Sequence, residues 1–315
     1  MPLRREALPQ LSGNGLFLTD GGLETTLIFH DGRELPEFAA FVLLDDNEGR
    51  GRLRSYFRAY MDVARAAGAG FVAEAPTWRA NGDWGAKVGY DDAALDQVNR
   101  AAIALLVELR DEWEAHSSAP FVISGNLGPR DDGYNPAALM TPIEAQEYHD
   151  AQIATFAATE ADMVSAFTMT HTGEAIGITR AAKAHGLPVV ISFTVETDGT
   201  LPSGKPLGDA IMEVDQATRF GPAYFMINCA HPTHFRATLD EDEPWIHRVG
   251  GLRANASRMS HAELDAAEEL DAGDPGEFGA LHAELRGALG HVTVLGGCCG
   301  TDDRHVAAIG TACVG

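Results

Sequence analysis

Eight short apolar segments with strand character recur along the chain. Each is bounded by glycine, proline or polar residues, and this pattern is typical of buried strands rather than of long helices. The segments cover residues 15–18, 70–73, 120–124, 162–167, 188–195, 224–227, 246–252 and 291–295.

Amphipathic stretches with helix-start signals separate most of these segments. Residues 141–144 read Thr-Pro-Ile-Glu, which combines an N-cap, a proline at the first helical position and a reciprocal glutamate, and residues 260–263 repeat the capping box as Ser-His-Ala-Glu. Eight alternations of strand and helix predict an α/β fold, a single-domain (β/α)8 TIM barrel over residues 1–315. A doubly wound open sheet is the alternative.

Polar and reactive residues gather just after the predicted strands. In a parallel barrel the carboxyl ends of all strands open on one face, so residues far apart in sequence can meet there. These residues are Asp20, Glu74, Thr77, Asn126, Thr168, Thr194, Glu196, Asn228, Cys229, Asn255, Cys298 and Cys299.

Two adjacent cysteines, Cys298 and Cys299, end the last apolar segment and are bracketed by glycines. Neighbouring side chains of a strand point to opposite faces, so both thiols can reach one ion only across a sharp turn, which Gly296, Gly297 and Gly300 would permit. Cys229 supplies a third thiol after the sixth segment. Three thiolates leave one tetrahedral position open, the arrangement of a catalytic zinc site.

The alternatives for these cysteines are small buried hydrophobes or a strained disulfide between neighbours. Four cysteines among 315 residues are too few for a disulfide scaffold, and the sequence shows no cleavable leader. We therefore expect a reducing, cytoplasmic setting. Cys313, near the end of the sequence, is expected to be a bystander.

Composition narrows the choice of partners. The formal net charge is -23, and such a surface repels phosphate backbones, which argues against nucleic acid. No segment approaches the roughly 18 consecutive apolar residues of a membrane span. The expected partners are small molecules, and the oligomeric state is not predicted.

Three motifs together resemble the homocysteine S-methyltransferase family. They are residues 18–25, Leu-Thr-Asp-Gly-Gly-Leu-Glu-Thr; Asn228 with Cys229; and residues 296–301, Gly-Gly-Cys-Cys-Gly-Thr. The resemblance implies a zinc ion (Zn2+) held by Cys229, Cys298 and Cys299, and transfer of a methyl group to homocysteine or a related small thiol. The length leaves no room for folate and corrinoid domains, so a one-step donor is expected: S-methylmethionine, S-adenosylmethionine or a betaine.

The same resemblance assigns further residues. Asp20 would lie beside the substrate thiol or its amino group, and Asn228 would support the turn at the metal. A tryptophan face at Trp78 would attract a cationic donor. The residues expected to contact substrate are Gly22, Glu24, Glu74, Thr77, Trp78, Phe167 and Asn228.

One departure from the family pattern concerns the acceptor. Relatives carry a glutamate after the fourth strand that helps to bind the amino-acid acceptor, and Phe167 stands in its place. Glu74 with Asp20 could replace that carboxylate, His171 could offer a different polar contact, or the acceptor could lack an ammonium group.

Two other function classes are compatible with part of the pattern. A metal-dependent barrel hydrolase or lyase would use histidine and carboxylate ligands to bind a water molecule, but no His-x-His pattern follows the first strand. A zinc-binding relative that acts on a different thiol, or that has lost methyl transfer, is the second alternative.

Overall fold

The computed structural model describes residues 4–13, 15–134, 139–239, 243–267 and 269–314. Within these ranges, eight parallel strands form a closed barrel in which each strand pairs with the next and β8 returns to β1. The strands are β1 Phe17–Leu18, β2 Gly70–Glu74, β3 Phe121–Leu127, β4 Met163–Met169, β5 Val189–Phe193, β6 Tyr224–Asn228, β7 Val249–Ala254 and β8 Val294–Gly297.

Helices follow the strands and surround the barrel, as the right-handed βαβ connection requires. They are α1 Leu23–Thr25, α2 Asn47–Ala66, α3 Gly82–Lys87, α4 Asp92–Glu114, α5 Pro142–Ala157, α6 Thr172–Ala184, α7 Leu207–Thr218, α8 Pro232–Phe235, α9 His261–Asp265, α10 Pro275–Ala288 and α11 Asp303–Cys313. Both predicted capping boxes are present, at Thr141 before α5 and at Ser260 before α9.

The apolar core has two layers. The larger layer fills the space between strands and helices and includes Phe71, Trp113 and Phe121. A smaller cluster, including Val72, Val122 and Phe167, comes from the alternate strand positions and fills the barrel interior. A filled interior places the chemistry at the rim, where the strands end.

The predicted fold class is confirmed, whereas several strand boundaries were wrong. The seventh strand begins at Val249 rather than residue 246, because Pro244–Arg248 forms a 3-10 turn. Residues 15–16 and 291–293 lie outside β1 and β8. In the described ranges, every helix is too short or too polar to cross a bilayer.

Candidate functional site

Three thiols meet at the carboxyl end of the barrel. Cys229 follows β6, and Cys298 and Cys299 follow β8. Their sulfur atoms all lie within 4.8 Å of one another, and the Cys229 and Cys299 sulfurs are 3.9 Å apart. They form the one cluster of three or more metal-binding side chains in the portion of the chain that the structure describes. The predicted meeting of the three cysteines is therefore confirmed.

The turn at the cysteine pair depends on three glycines, but not for one shared reason. Only Gly300 has a left-handed backbone, with φ of 78°. Gly296 and Gly297 are needed for packing, because a Cβ atom there would overlap the hydroxyl groups of Thr19 and Thr301. Backbone freedom, the reason for which these glycines were singled out, thus applies to Gly300 and not to Gly296 or Gly297.

Asn228 directly precedes Cys229, and its side-chain hydrogen bonds fix the end of β6. Its Oδ1 accepts hydrogen bonds from the Thr168 amide at 2.9 Å and the Ser192 hydroxyl at 2.6 Å. Its Nδ2 donates to Thr168 Oγ1 at 3.0 Å and lies 3.9 Å from the Cys298 sulfur. Thr168 and Cys229 both have positive φ, 63° and 54°, so this network maintains a strained backbone beside the thiols.

The thiols do not ionise independently. The pKa of Cys298 is lowered, because Cys229 and Cys299 donate hydrogen bonds to its sulfur and because Arg253 and Asn228 favour its charge. The pKa of Cys229 is raised, because its thiol donates hydrogen bonds to the Cys298 and Cys299 sulfurs and because burial and the charge of Cys298 disfavour a second thiolate. A divalent cation supplies the charge that would allow all three to ionise, so the donor set fits a thiolate-bound metal.

Arg253, which sequence reasoning missed, lies on β7 between the two thiol-bearing strands. Its Nη1 is 2.9 Å from Asp20 Oδ1, and its Nε and Nη2 donate to the carbonyl oxygens of Gly297 and Gly21 at 3.0 and 3.2 Å. Asp20 also accepts a hydrogen bond from the Tyr56 hydroxyl at 3.0 Å. Asp20 thus lies at the site, as predicted, but its carboxylate already contacts Arg253 and Tyr56.

Burial changes the ionisation of two further acids on the cavity wall. Desolvation raises the pKa of Glu74 to about 7, although Arg253 opposes the shift. Burial likewise raises the pKa of Glu24 to about 7. Glu74 is only 3% exposed, and its Oε1 accepts a hydrogen bond from the Ser165 hydroxyl at 3.1 Å.

A cavity opens beside the thiols and collects most of the residues expected from sequence. Trp78 lines it, and the indole nitrogen lies 3.5 Å from the Phe167 carbonyl oxygen. The predicted residues on its wall are Asp20, Gly22, Glu24, Glu74, Trp78, Phe167, Asn228, Cys229, Cys298 and Cys299.

Two predicted contacts lie elsewhere. Thr77 is fully buried behind the wall, where its hydroxyl donates to the Asn126 carbonyl oxygen at 2.8 Å. His171 caps α6 and lies 3.5 Å from Glu174, in a separate cavity with Arg130. His171 therefore does not compensate for Phe167 at the thiol cavity.

Tyr134 and His261 were also missed. The Tyr134 hydroxyl lies 3.5 Å from the Cys299 sulfur, and its ring stacks on His261 with centroids 4.1 Å apart. His261 in turn contacts the Cys229 carbonyl oxygen at 2.8 Å through Nε2 and Glu196 at 3.1 Å through Nδ1. Tyr134 stands in a loop after β3, where no periodic pattern could have placed it.

A parallel barrel with three thiols and a polar cavity at its rim defines a class of enzymes that bind small molecules at the strand ends. The sequence model of the homocysteine S-methyltransferase family matches residues 17–313, and the chain belongs to that family. It is accordingly a thiol methyltransferase by class.

Solved structures of the homocysteine methyltransferase MmuM from Escherichia coli share the fold. The oxidized form is 20% identical, with a TM-score of 0.74 and coverage of 99% of each chain. The metallated form is 18% identical, with a TM-score of 0.72 and coverage of 95% of this chain and 96% of MmuM. At these identities the likeness concerns the fold alone.

Proposed function

We propose that the chain is a zinc-dependent S-methyltransferase that moves a methyl group from a sulfonium or quaternary ammonium donor to homocysteine or a related small thiol. The observation that carries the proposal is the cluster of Cys229, Cys298 and Cys299, with sulfurs within 4.8 Å, on the wall of a cavity. Three protein thiolates leave one coordination position for a ligand.

Zinc bound by three thiolates would lower the pKa of an acceptor thiol, so that the nucleophilic thiolate is available at neutral pH. In the reaction the acceptor sulfur forms a bond to the methyl carbon, the donor's carbon–sulfur or carbon–nitrogen bond breaks, and its electron pair leaves with the donor. The acceptor proton is released to solvent.

The residues around the thiols would hold the reactants in place. Asn228 fixes the turn at Cys229, and the Tyr134 hydroxyl next to Cys299 limits how far that thiol can move. The Trp78 ring on the cavity wall would attract a donor that carries a positive charge, as it already attracts the Arg79 guanidinium 4.1 Å from its centre. S-methylmethionine, S-adenosylmethionine and betaine all meet this description.

The proposal includes a cytoplasmic setting, because three free thiols must stay reduced to bind a metal. It includes no nucleic-acid partner, given the net charge of -23. The hydrolase or lyase alternative lacks support, since no histidine and carboxylate cluster with metal-binding spacing occurs in the described ranges.

Metal analysis followed by an activity screen tests the proposal. The purified protein should contain one zinc per chain, and one of the three donors should methylate homocysteine or another small thiol, detected by mass spectrometry. A zinc-loaded protein that methylates no thiol with any sulfonium or ammonium donor would leave the zinc-binding relative without methyl transfer as the better description.

A further inference from the structure

Arg253 carries a positive charge into the thiol cavity that the zinc chemistry does not require. The residue is 7% exposed and lines the same cavity as the three cysteines. Burying a guanidinium is costly unless it is paired, so its position and its partners bear on what the cavity binds.

The guanidinium is incompletely satisfied in this structure. Nε and Nη2 each have a backbone carbonyl partner, but Nη1 meets only Asp20 Oδ1, at 2.9 Å and without good hydrogen-bond alignment. Neither Arg253 Nη1 nor Asp20 Oδ1 has any other hydrogen-bond partner in the described part of the chain. Nη1 is therefore a buried donor with capacity for a ligand oxygen.

An apolar ring packs against the Arg253 guanidinium. The Arg253 guanidinium lies 4.9 Å from the centre of the Phe167 ring, which forms part of the same wall. The apolar ring offers no anion to an acceptor's ammonium group, and Asp20 is already shared by Arg253 and Tyr56. A planar cation beside an apolar ring matches a carboxylate attached to a short aliphatic chain.

We propose that Arg253 binds an acid group of the acceptor, so that the enzyme selects small thiols that carry a carboxylate and does not require an amino group. The inference rests on the proposed thiol methyl transfer and names the acceptor class for it. A thiolate at the metal and a carboxylate at Arg253 would hold such an acceptor at both ends, leaving the methyl donor the remaining side of the cavity.

Two analogues of homocysteine separate the acid group from the amino group on the unmodified zinc-loaded enzyme. 4-Mercaptobutanoate lacks only the amino group, and 3-aminopropane-1-thiol lacks only the carboxylate. Calorimetric binding and methylation kinetics should show 4-mercaptobutanoate within about threefold of homocysteine. The decarboxylated thiol should be weakened by about 100-fold, as expected when a buried charge pair is lost.

Variants then attribute the selectivity to the guanidinium. Arg253→Gln combined with Asp20→Asn, which avoids a newly unpaired carboxylate, should lose most of the preference for acidic thiols while retaining zinc. Arg248→Gln is the matched control, because Arg248 forms a close ion pair with Asp215 beyond the other end of β7 and does not line the cavity. It should keep the wild-type preference.

The outcomes distinguish this inference from the proposed function. If no thiol is methylated but binding still depends on the carboxylate and on Arg253, the proposed methyl transfer is wrong. The proposed class of thiol ligand is then still supported. Equal binding and turnover of 3-aminopropane-1-thiol and homocysteine would overturn the inference, as would equal losses for all thiols in the zinc-loaded double variant. The analogue comparison needs no variant, so a poorly folded one does not prevent the test.

Discussion

Asn228 and Thr168 are joined by two hydrogen bonds of opposite direction. The Thr168 amide donates to Asn228 Oδ1 at 2.9 Å, and Asn228 Nδ2 donates to Thr168 Oγ1 at 3.0 Å. The pair links the ends of β4 and β6, where both Thr168 and Cys229 have left-handed backbone conformations. The wall that carries Phe167 is thereby fixed relative to Cys229.

This link leads to a prediction for Asn228. Asn228→Ala should weaken zinc binding by about 10- to 100-fold, the usual effect of removing a group that supports a metal ligand. Competition with a chromogenic chelator would measure the change. Unchanged zinc affinity in a folded Asn228→Ala protein would show that the turn at Cys229 holds without the amide.

The cysteines should differ sharply in their effect on metal content. Cys298→Ala and Cys299→Ala should each abolish stoichiometric zinc and methyl transfer together, because two thiolates cannot complete the site. Cys313→Ala is the control, since this buried thiol lies on α11 and outside the cluster. Full zinc occupancy in the Cys298→Ala protein would contradict a three-thiolate site.

The acceptor should bind the metal through sulfur. X-ray absorption of the zinc-loaded protein is expected to show three sulfur ligands and one lighter atom, changing to four sulfurs when a productive acceptor is added. An unchanged coordination shell under conditions that support turnover would exclude direct activation of the acceptor thiol.

Glu74 should make folding stability depend on pH. Its pKa is raised from 4.5 to about 7, so the folded state holds a proton that the unfolded state has already lost between these values. The contribution of Glu74 to the free energy of unfolding is fully present below pH 4.5. It is lost as the pH rises through 7, by up to about 3 kcal/mol. Glu74→Gln should make this decline shallower in urea unfolding curves measured from pH 5 to 8, and the part that remains is the contribution of Glu24, whose pKa is also raised to about 7.

Glu174→Gln provides the control for that measurement. The pKa of Glu174 is lowered to about 2, because hydrogen bonds from His149 and His171 outweigh the effect of burial. Its contribution to stability is present above pH 4.5 and is lost as the pH falls towards 2. A decline between pH 5 and 8 that is as steep in Glu74→Gln as in the unmodified protein would contradict the assignment to Glu74.

Glu74 also separates two hypotheses about the acceptor. If it replaces the family's glutamate, Glu74→Gln should raise the Michaelis constant for homocysteine and spare 4-mercaptobutanoate. If Arg253 recognises the acid group instead, both thiols should change by the same factor, and this is the result we expect. Steady-state kinetics with the two acceptors would decide, and a loss confined to homocysteine would restore the amino-group role of Glu74.

The sequence predicted the barrel because each strand buries apolar side chains and ends in polar ones, a pattern that depends on local chemistry. Boundaries were less accurate where local signals mislead. Pro244–Arg248 contains an isoleucine and leads into a glycine-rich strand, but its proline begins a 3-10 turn. Arg253 directly follows residue 252, where the predicted seventh strand ends, so it meets the same rule that singled out Asp20 and Glu74 and was overlooked.

The cysteine cluster was predictable because adjacent thiols among glycines are chemically distinctive. The partners of Asp20 were not, since the contact joins Asp20, just after β1, to Arg253 on β7, and most of the chain separates them. The contact of Tyr134 with the cysteine cluster is still harder to predict from sequence. Its contact with Cys299 depends on the path of a loop, and loop paths follow from packing that no periodic pattern records.

The first strand contributes only Phe17 and Leu18 to the sheet, yet these two residues pair with both β2 and β8. The two seams on either side of β1 are therefore the narrowest of the barrel, and one of them is the closure between the first and the last strand. Cys298 and Cys299 follow β8 directly, so a nascent chain can present all three thiols together only after the final strand has left the ribosome. If the protein binds a metal ion as proposed, loading would follow synthesis of the last strand, and the ion would link the end of β6 to the end of β8.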